Sequence, residues 1–388
     1  MDFEPIDPKA QSQYRSLLKQ SFNFPDDYIE PWFEWLNTTQ MRGVYRDHQL
    51  VGGLSWIKIG QWYGGRVVPA SGISAVAVTP EGRGEGVATV LLRECITELY
   101  EEGFPLAILY PTTVPLYRKA GFELAGMRLQ YHLSLFELQL LQSSEMEVVK
   151  VPIGYDEKID VFYRAQARSH GGLLDRTKQM WEKLYLLPEN DLHLYRIENN
   201  GNTEGYVCLM QTPGNESIMI RDWFASSPAA TARILQLIKG HAPMFTELTW
   251  RGGPQDSFLS SLSDPAGAKI SSYQEWMARI VDVEKAFSMR GFPHGRATTL
   301  HFEIKDPWVE ANCGRFILTV SNEGDVSVER GGEGTLRIDI KGVASLYTSH
   351  RTAHQLQREG LLHTEDEDSL SEVTMLFAGP NPWMTDIF

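Results

Sequence analysis

Apolar positions fall into distinct rhythms along the chain. Ile73 to Val78 is almost continuously apolar and rich in β-branched residues, which predicts a buried strand. Pro80, Gly82, Gly84 and Gly86 break it. Val87, Leu91, Leu92, Cys95 and Leu99 then return at helical spacing, Gly103 ends that run, and Leu106 to Tyr110 reads as a second apolar strand. Strand, glycine-rich turn, helix and strand in this order form the stretch that the rest of the sequence surrounds.

Gly43 to Trp56 reads as a hairpin around Asp47 and His48, continuing as strand toward Ile59. A similar pattern returns about 150 residues later at His193 to Val207, where Tyr195-Arg196 echoes Tyr45-Arg46. Ser217 to Phe224 is then a predicted strand, Ala229 to Ile238 a helix and Phe245 to Trp250 a strand, so the order of the first half repeats. In this second copy Phe224-Ala-Ser-Ser-Pro-Ala-Ala-Thr231 replaces the glycine-rich turn, without glycine or arginine. The leucines from Leu133 to Leu141 link the copies and are expected to dock against a domain.

A third region starts near Tyr273 with the amphipathic segment Met277 to Glu284. Strands are predicted at Ala297 to Ile304, Gly314 to Val320, Asp325 to Glu329 and Thr335 to Ile340, followed by helices at Lys341 to Thr348 and His350 to Glu359 and an acidic loop at Glu365 to Asp368. The expected fold class is mixed α/β and α+β, with two sheet-and-helix domains at residues 1–140 and 141–272 and a separate α+β domain at 273–388. A chain of 388 residues suits two or three domains.

The segment from Asp7 to Leu36 carries Phe22, Phe24, Tyr28, Trp32, Phe33 and Trp35, divided by Pro25 and Pro31 into short predicted helices. Most of these rings pack on a sheet; one or two of them, interleaved with Asp26, Asp27, Glu30 and Glu34, suit the rim of a pocket for an amine. A net charge of −14 argues against nucleic acid, which needs clustered Lys and Arg, and favours a cationic small substrate. Three widely separated cysteines match neither a disulfide framework nor a zinc site, and His350 and His354, four apart, lack a third ligand, so no metal is expected. No apolar run approaches membrane-spanning length and MDFEPIDPKA does not read as a signal peptide, giving a cytoplasmic expectation without a membrane partner.

A glycine-rich turn opening a helix presents unpaired N–H groups and suits phosphate; Gly82, Gly84 and Gly86 allow close backbone approach, and Arg83 adds a fixed charge. The dinucleotide pattern would need glycine at Thr89, and the Gly-Lys-Ser/Thr of a P-loop is absent. Arg83-x-x-Gly86-x-Ala88 resembles the acyl-CoA signature of the GNAT acetyltransferases, and Tyr117-Arg-Lys-Ala-Gly121-Phe122 resembles their Tyr-x-x-x-Gly-Phe segment. Together with the loopless second copy and the α+β region, the whole chain resembles the Eis (enhanced intracellular survival) family: tandem GNAT-like domains followed by a sterol-carrier-protein-like domain.

That resemblance implies acetyl-CoA as co-substrate, contacted by Val76, Ala77 and Val78 on an open strand edge, by Arg83, Gly84, Glu85, Gly86, Val87, Ala88 and Thr89, and by Thr112 and Thr113. Gly84 stands where the family often has a second basic residue. Trp383, Met384, Ile387 and Phe388 need burial, so the chain end is expected to be tucked inside; the resemblance implies Tyr117 as general acid and the terminal carboxylate of Phe388 as general base. Asp26 and Trp35 are the candidate acceptor contacts. The implied reaction is direct N-acetylation of a primary amine on an aminoglycoside-like molecule, polyamine or lysine side chain, by a homo-oligomer for which the family suggests a hexamer. The alternative is a non-catalytic protein that binds acyl-CoA or a hydrophobic ligand.

Overall fold

A computed structural model describes every residue except 24, 25, 37–39, 187–190, 212, 213 and 215, with the backbone alone of residues 26–28. The chain forms two compact units, one of residues 1–126, 275–380 and 387–388, the other of residues 127–274 and 381–386.

The first unit begins with β1 (Asp2–Pro5), α1 (Gln11–Phe22), α2 (Asp26–Leu36), β2 (Gln40–Arg46), β3 (Gln49–Tyr63), β4 (Arg66–Val78), α3 (Val87–Glu101), β5 (Leu106–Leu109) and α4 (Val114–Lys119). Asp47 and His48 join β2 to β3 with positive φ at both positions, the paired left-handed turn that follows strand twist. Strands β1 to β4 are antiparallel neighbours, and β5 lies parallel to β4, as the α3 crossover requires. Leu91, Leu92, Cys95 and Leu99 of α3 pack on Trp56, Ile73, Ala107 and Phe122, so the predicted helical stripe is the core-facing one. Pro31, expected to divide the aromatic segment, lies inside α2; the helix tolerates one missing N–H because Ile29, Phe33 and Leu36 bury its apolar face. Pro25 lies outside the described residues.

The chain continues through β6 (Glu123–Ser134), β7 (Glu147–Val151), α5 (Glu157–Ala167), α6 (Lys178–Leu184), β8 (Asp191–Asn199), β9 (Asn202–Gln211), β10 (Ser217–Ala225), α7 (Pro228–Lys239), β11 (Glu247–Gly252) and the single turn α8 (Ser257–Ser260). In the second unit β7 to β10 are antiparallel neighbours and β11 lies parallel to β10, the pattern of the first unit over again. The linking leucines Leu133, Leu135 and Leu138 are in its core, whereas Leu141 is exposed.

The last elements are β12 (Lys269–Ile280), α9 (Val283–Met289), β13 (Thr298–Lys305), β14 (Gly314–Val320), β15 (Val326–Arg330), β16 (Leu336–Asp339), α10 (Ile340–Tyr347), α11 (Ala353–Arg358), β17 (Leu362–His363) and α12 (Glu367–Leu376). The segment read as amphipathic at Met277 to Glu284 is instead the buried end of a strand followed by a helix that Asp282 caps. The sheet of each copy is completed by the strand that follows the other copy: Met277–Ile280 of β12 pairs with β5, and β6 pairs with β11. Strands β13 to β17 form a separate five-stranded sheet in the order β15-β14-β13-β16-β17. The acidic run expected as a loop starts α12, where Asp366 accepts from the Asp368 N–H and Glu367 and Asp368 favour the helix dipole. His350 precedes the Thr352 cap of α11 and shares no helical face with His354.

Candidate active site

Strands β4 and β5 are paired only at Ala70–Gly72 and Leu106–Ile108. Beyond Gly72 they part, and Ile73 to Val78 has no ladder partner on that side among the described residues. Ala75 takes a left-handed φ of 55° where the β3 register slips, and Tyr14 Oη donates to its carbonyl at 2.7 Å. Such a bulge bends a strand and turns its peptide groups. Val76 and Val78 are half-buried and Ala77 is buried.

The turn after this edge is built to leave donors open. Gly84 and Gly86 have φ of 80° and 84°, and a β-carbon at either would meet nothing within 4 Å, so glycine here answers backbone shape and leaves space in front of the turn. Gly86 is the N-cap of α3 and supplies no side-chain cap, which leaves the first N–H groups at Val87, Ala88 and Thr89 for an external acceptor. Arg83 is exposed and joins no ion pair among the described residues; Glu85 is paired with Arg46. At the matching place in the second unit, Ser227 caps α7 by accepting from the Ala230 N–H at 3.2 Å. The second copy thus satisfies one such N–H, at Ala230, with its own cap and lacks another, because Pro228 has none.

Tyr117 lies on α4, 3% exposed, with its ring edge-on to Phe122 at 6.0 Å. Burial pushes its hydroxyl up to about 12, against a smaller lowering by a hydrogen bond with Thr112. The phenol is therefore held as a proton donor across the neutral range. Thr113 is the N-cap of α4, so both threonines belong to the loop that starts the tyrosine helix.

The chain end is tucked in as expected, except that Ile387 is 47% exposed. In the second unit, the Trp383 N–H donates to Gly171 O at 3.0 Å, the indole stacks over Phe224, and Asp386 pairs with buried Arg176 at 2.9 Å. In the first unit, Phe388 is 6% exposed and its ring lies 6.3 Å from that of Tyr110 and directly against Gly72, where an added β-carbon would meet ring atoms at 2.7 Å. Gly72 is the last residue of β4 paired to β5, so the terminal residue sits where the strands part. A glycine within a strand marks close approach; that signal was present in the sequence at Gly72, and only the ring it faces was not.

Trp35 is 7% exposed and packed into the unit, and the side chain of Asp26 lies outside the described residues. Among the described residues, no group of three or more His, Cys, Asp or Glu could hold a metal, and no helix is long and apolar enough to cross a membrane.

Residues 2–125 and 172–280 each match a family described as an acetyltransferase (GNAT) domain, and residues 283–385 match a sterol carrier protein domain. A crystal structure of a GCN5-related N-acetyltransferase from Anabaena variabilis is 35% identical, covers 100% of both chains and superposes with a TM-score of 0.95. The chain belongs to the GCN5-related N-acetyltransferases. Curated relatives of this acetyltransferase include an uncharacterized N-acetyltransferase of Streptomyces avermitilis, 24% identical over 83% of this chain and 82% of the relative. They also include the N-acetyltransferase Eis of Mycobacterium tuberculosis, 24% identical over 82% and 80%. Eis1 from Mycobacterium abscessus, 20% identical with a TM-score of 0.83 over the full length of both chains, shares the fold. The acetyltransferase is Eis-like, with two GNAT domains and a sterol-carrier-protein-like domain, and the non-catalytic alternative gives way to an N-acetyltransferase.

Proposed function

We propose that this acetyltransferase moves an acetyl group from acetyl-CoA directly to a primary amine of a cationic small molecule, aminoglycoside-like or polyamine, or of a lysine side chain. The observation that carries the reading is the parting of β4 from β5 at Gly72, with an uncapped glycine turn at one end of the open edge and the C-terminal residue at the other. An extended pantetheine arm needs such an unpaired strand edge, and a pyrophosphate needs such free N–H groups. Acetyl-CoA supplies the activated acetyl thioester.

The chain's own residues then have separable tasks. Val76, Ala77 and Val78 hold the arm, and their N–H groups polarise the carbonyl oxygen. Arg83, Gly84, Glu85, Gly86, Val87, Ala88 and Thr89 hold the phosphates, while Thr112 and Thr113 line the thiol end. Tyr117 donates a proton to the leaving sulfur; with the phenol at about 12 and a free thiol at about 8.5, the transfer becomes favourable only as charge develops on a sulfur whose own proton affinity is raised by the same desolvation. The Phe388 carboxylate orients the amine and partly deprotonates it through water rather than removing a proton outright, because a carboxyl is a far weaker base than an amine of pKa about 10.4. Asp26 and Trp35 on α2 contact the acceptor. The net charge of −14 supports a cationic acceptor through long-range attraction. The proposal includes the domains at 1–140, 141–272 and 273–388, a cytoplasmic location and a homo-oligomer, hexameric by resemblance.

Thiol release from acetyl-CoA, measured with polyamines, aminoglycosides and lysine peptides in turn, tests the reading. Tyr117→Phe should lower kcat by about a hundredfold or more while acetyl-CoA affinity stays within about threefold. Thiol release with no acceptor in the panel, or a fully active Tyr117→Phe enzyme, would overturn it.

A further inference from the structure

The turn that ends the tyrosine helix is held by a charge from a stretch of chain 159 residues further on. Ala120, the C-cap of α4, presents its carbonyl to Arg279 Nη1 at 2.8 Å. Gly121 follows with φ of 81°, and a β-carbon there would overlap Arg279 Nη1 at 1.6 Å. The glycine of the Tyr117-x-x-x-Gly121 segment is therefore fixed twice, by backbone shape and by the guanidinium lying on it. Arg279 reaches this place because β12 completes the β5 side of the sheet, pairing Arg279 with Ala107.

The other branch of Arg279 is bound to the sterol-carrier-protein-like domain. Nη2 donates to both carboxylate oxygens of Asp306 at 2.8 Å, and both side chains are fully buried. Asp306 also accepts from the Trp308 and Val309 N–H groups and from Asn312 Nδ2, which donates in addition to the Val281 carbonyl at 2.9 Å. Asn312 Oδ1 accepts from the Val283 N–H at 3.0 Å. The carboxylate is thus saturated and cannot swing. A buried ion pair of this kind usually adds little net stability over a well-packed apolar replacement, because removing both charges from water offsets their attraction. Its particular contribution is direction: one rigid fork aims Nη2 at both oxygens of Asp306 and Nη1 at the turn six residues long that begins with Tyr117.

We propose that Arg279, locked by Asp306 and Asn312, is a positioning residue for Tyr117, and that the third domain acts in catalysis by fixing the placement of the acid. This rests on the assignment of Tyr117 as general acid. The side chain of Arg279 touches no reacting atom; it sets the angle of the helix end on which the phenol stands. A misplacement of about 1 Å in a proton donor is enough to cost about a hundredfold in rate.

A double-mutant cycle on the full-length enzyme tests this. Arg279→Lys keeps a cation for Asp306 but cannot reach the Ala120 carbonyl with a second branch. It should lower kcat about tenfold to a hundredfold, with KM for acetyl-CoA within about twofold. In a Tyr117→Phe background the same change should have almost no further effect on kcat, because the group it positions is gone. Asp306→Asn, equal in volume, repeats the cycle should Arg279→Lys fail to fold, and thermal unfolding reports the structural cost of each. Effects on kcat that multiply in the double variant, or a loss confined to KM or to thermal stability, overturn the proposal even where Tyr117→Phe alone is impaired. A fully active Tyr117→Phe enzyme instead removes the assignment on which it rests.

Discussion

At the scale of single residues, Gly72 is a position where the smallest change has a defined consequence. Its φ is ordinary, so alanine would not strain the backbone, but the new β-carbon would enter the ring of Phe388 at 2.7 Å. That ring has to move, and the terminal carboxylate moves with it. Gly72→Ala should therefore lower kcat about tenfold or more with the thermal midpoint nearly unchanged. Shortening the last residue, Phe388→Ala, in the Gly72→Ala background should restore part of the loss by making room while keeping a terminal carboxylate. If Gly72→Ala is as active as the wild type in steady-state assays, the seat of Phe388 has no role in turnover. Tyr117 gives a second residue-scale expectation. With its hydroxyl at about 12, the phenol stays protonated to well above pH 10, so kcat should show no loss with a midpoint near 10 that Tyr117→Phe abolishes. A pH–rate profile of the two enzymes would reveal such a limb.

At the scale of elements, the apolar rhythms were enough to place most strands and helices within a few residues, because burial on one face imposes period two or period 3.6 whatever the fold. The elements that departed from expectation did so for local chemical reasons. Pro31 is carried by the buried face of α2, and the acids at 366–368 cap a helix rather than fill a loop. The loopless copy was legible as loopless, yet its consequence, a helix start capped by Ser227, needed the hydrogen bond itself. Asp256 gives a testable case of such a cap. It accepts from the Phe258 N–H at 2.8 Å at the start of α8, and burial pushes its carboxyl from 3.8 up to about 7. The folded state therefore holds its proton more tightly than the unfolded chain. The stability this gives is fully present below about pH 4 and is lost as pH rises through about 7, a change of at most about 4 kcal/mol. Asp256→Asn should match the wild type near pH 4 and exceed it at pH 8 in thermal unfolding. A variant less stable than the wild type at both pH values would contradict that sign.

At the scale of the whole molecule, the order of the sequence and the order in space diverge. The repeat was visible in Tyr45-Arg46 and Tyr195-Arg196 and in the turn, helix and strand that follow each pair. Nothing in β6 or β12 announces that each completes the sheet of the other copy, because a buried strand reads alike whichever neighbour it meets. The same exchange brings Arg279 to the tyrosine turn, so a residue in a segment that reads as a domain start belongs beside the candidate acid. The donor half of the proposed site was nominated from glycines, an arginine and a tyrosine in a fixed local order, and what the structure adds is that the glycine turn is left uncapped and open. The seat of Phe388 was not, since it joins residues more than 300 positions apart whose only local mark is one glycine in a strand.

The proposed reaction needs a free carboxylate at Phe388 as well as the phenol of Tyr117, and extending the chain tests that need. A few residues appended after Phe388 leave every side chain in place but convert that carboxylate into a peptide bond and carry the new terminus elsewhere. Thiol release from acetyl-CoA with the best acceptor amine should then fall to background, while acetyl-CoA still raises the thermal midpoint of the extended protein as it does that of the wild type. An extended protein that acetylates the amine at the wild-type rate would contradict the account.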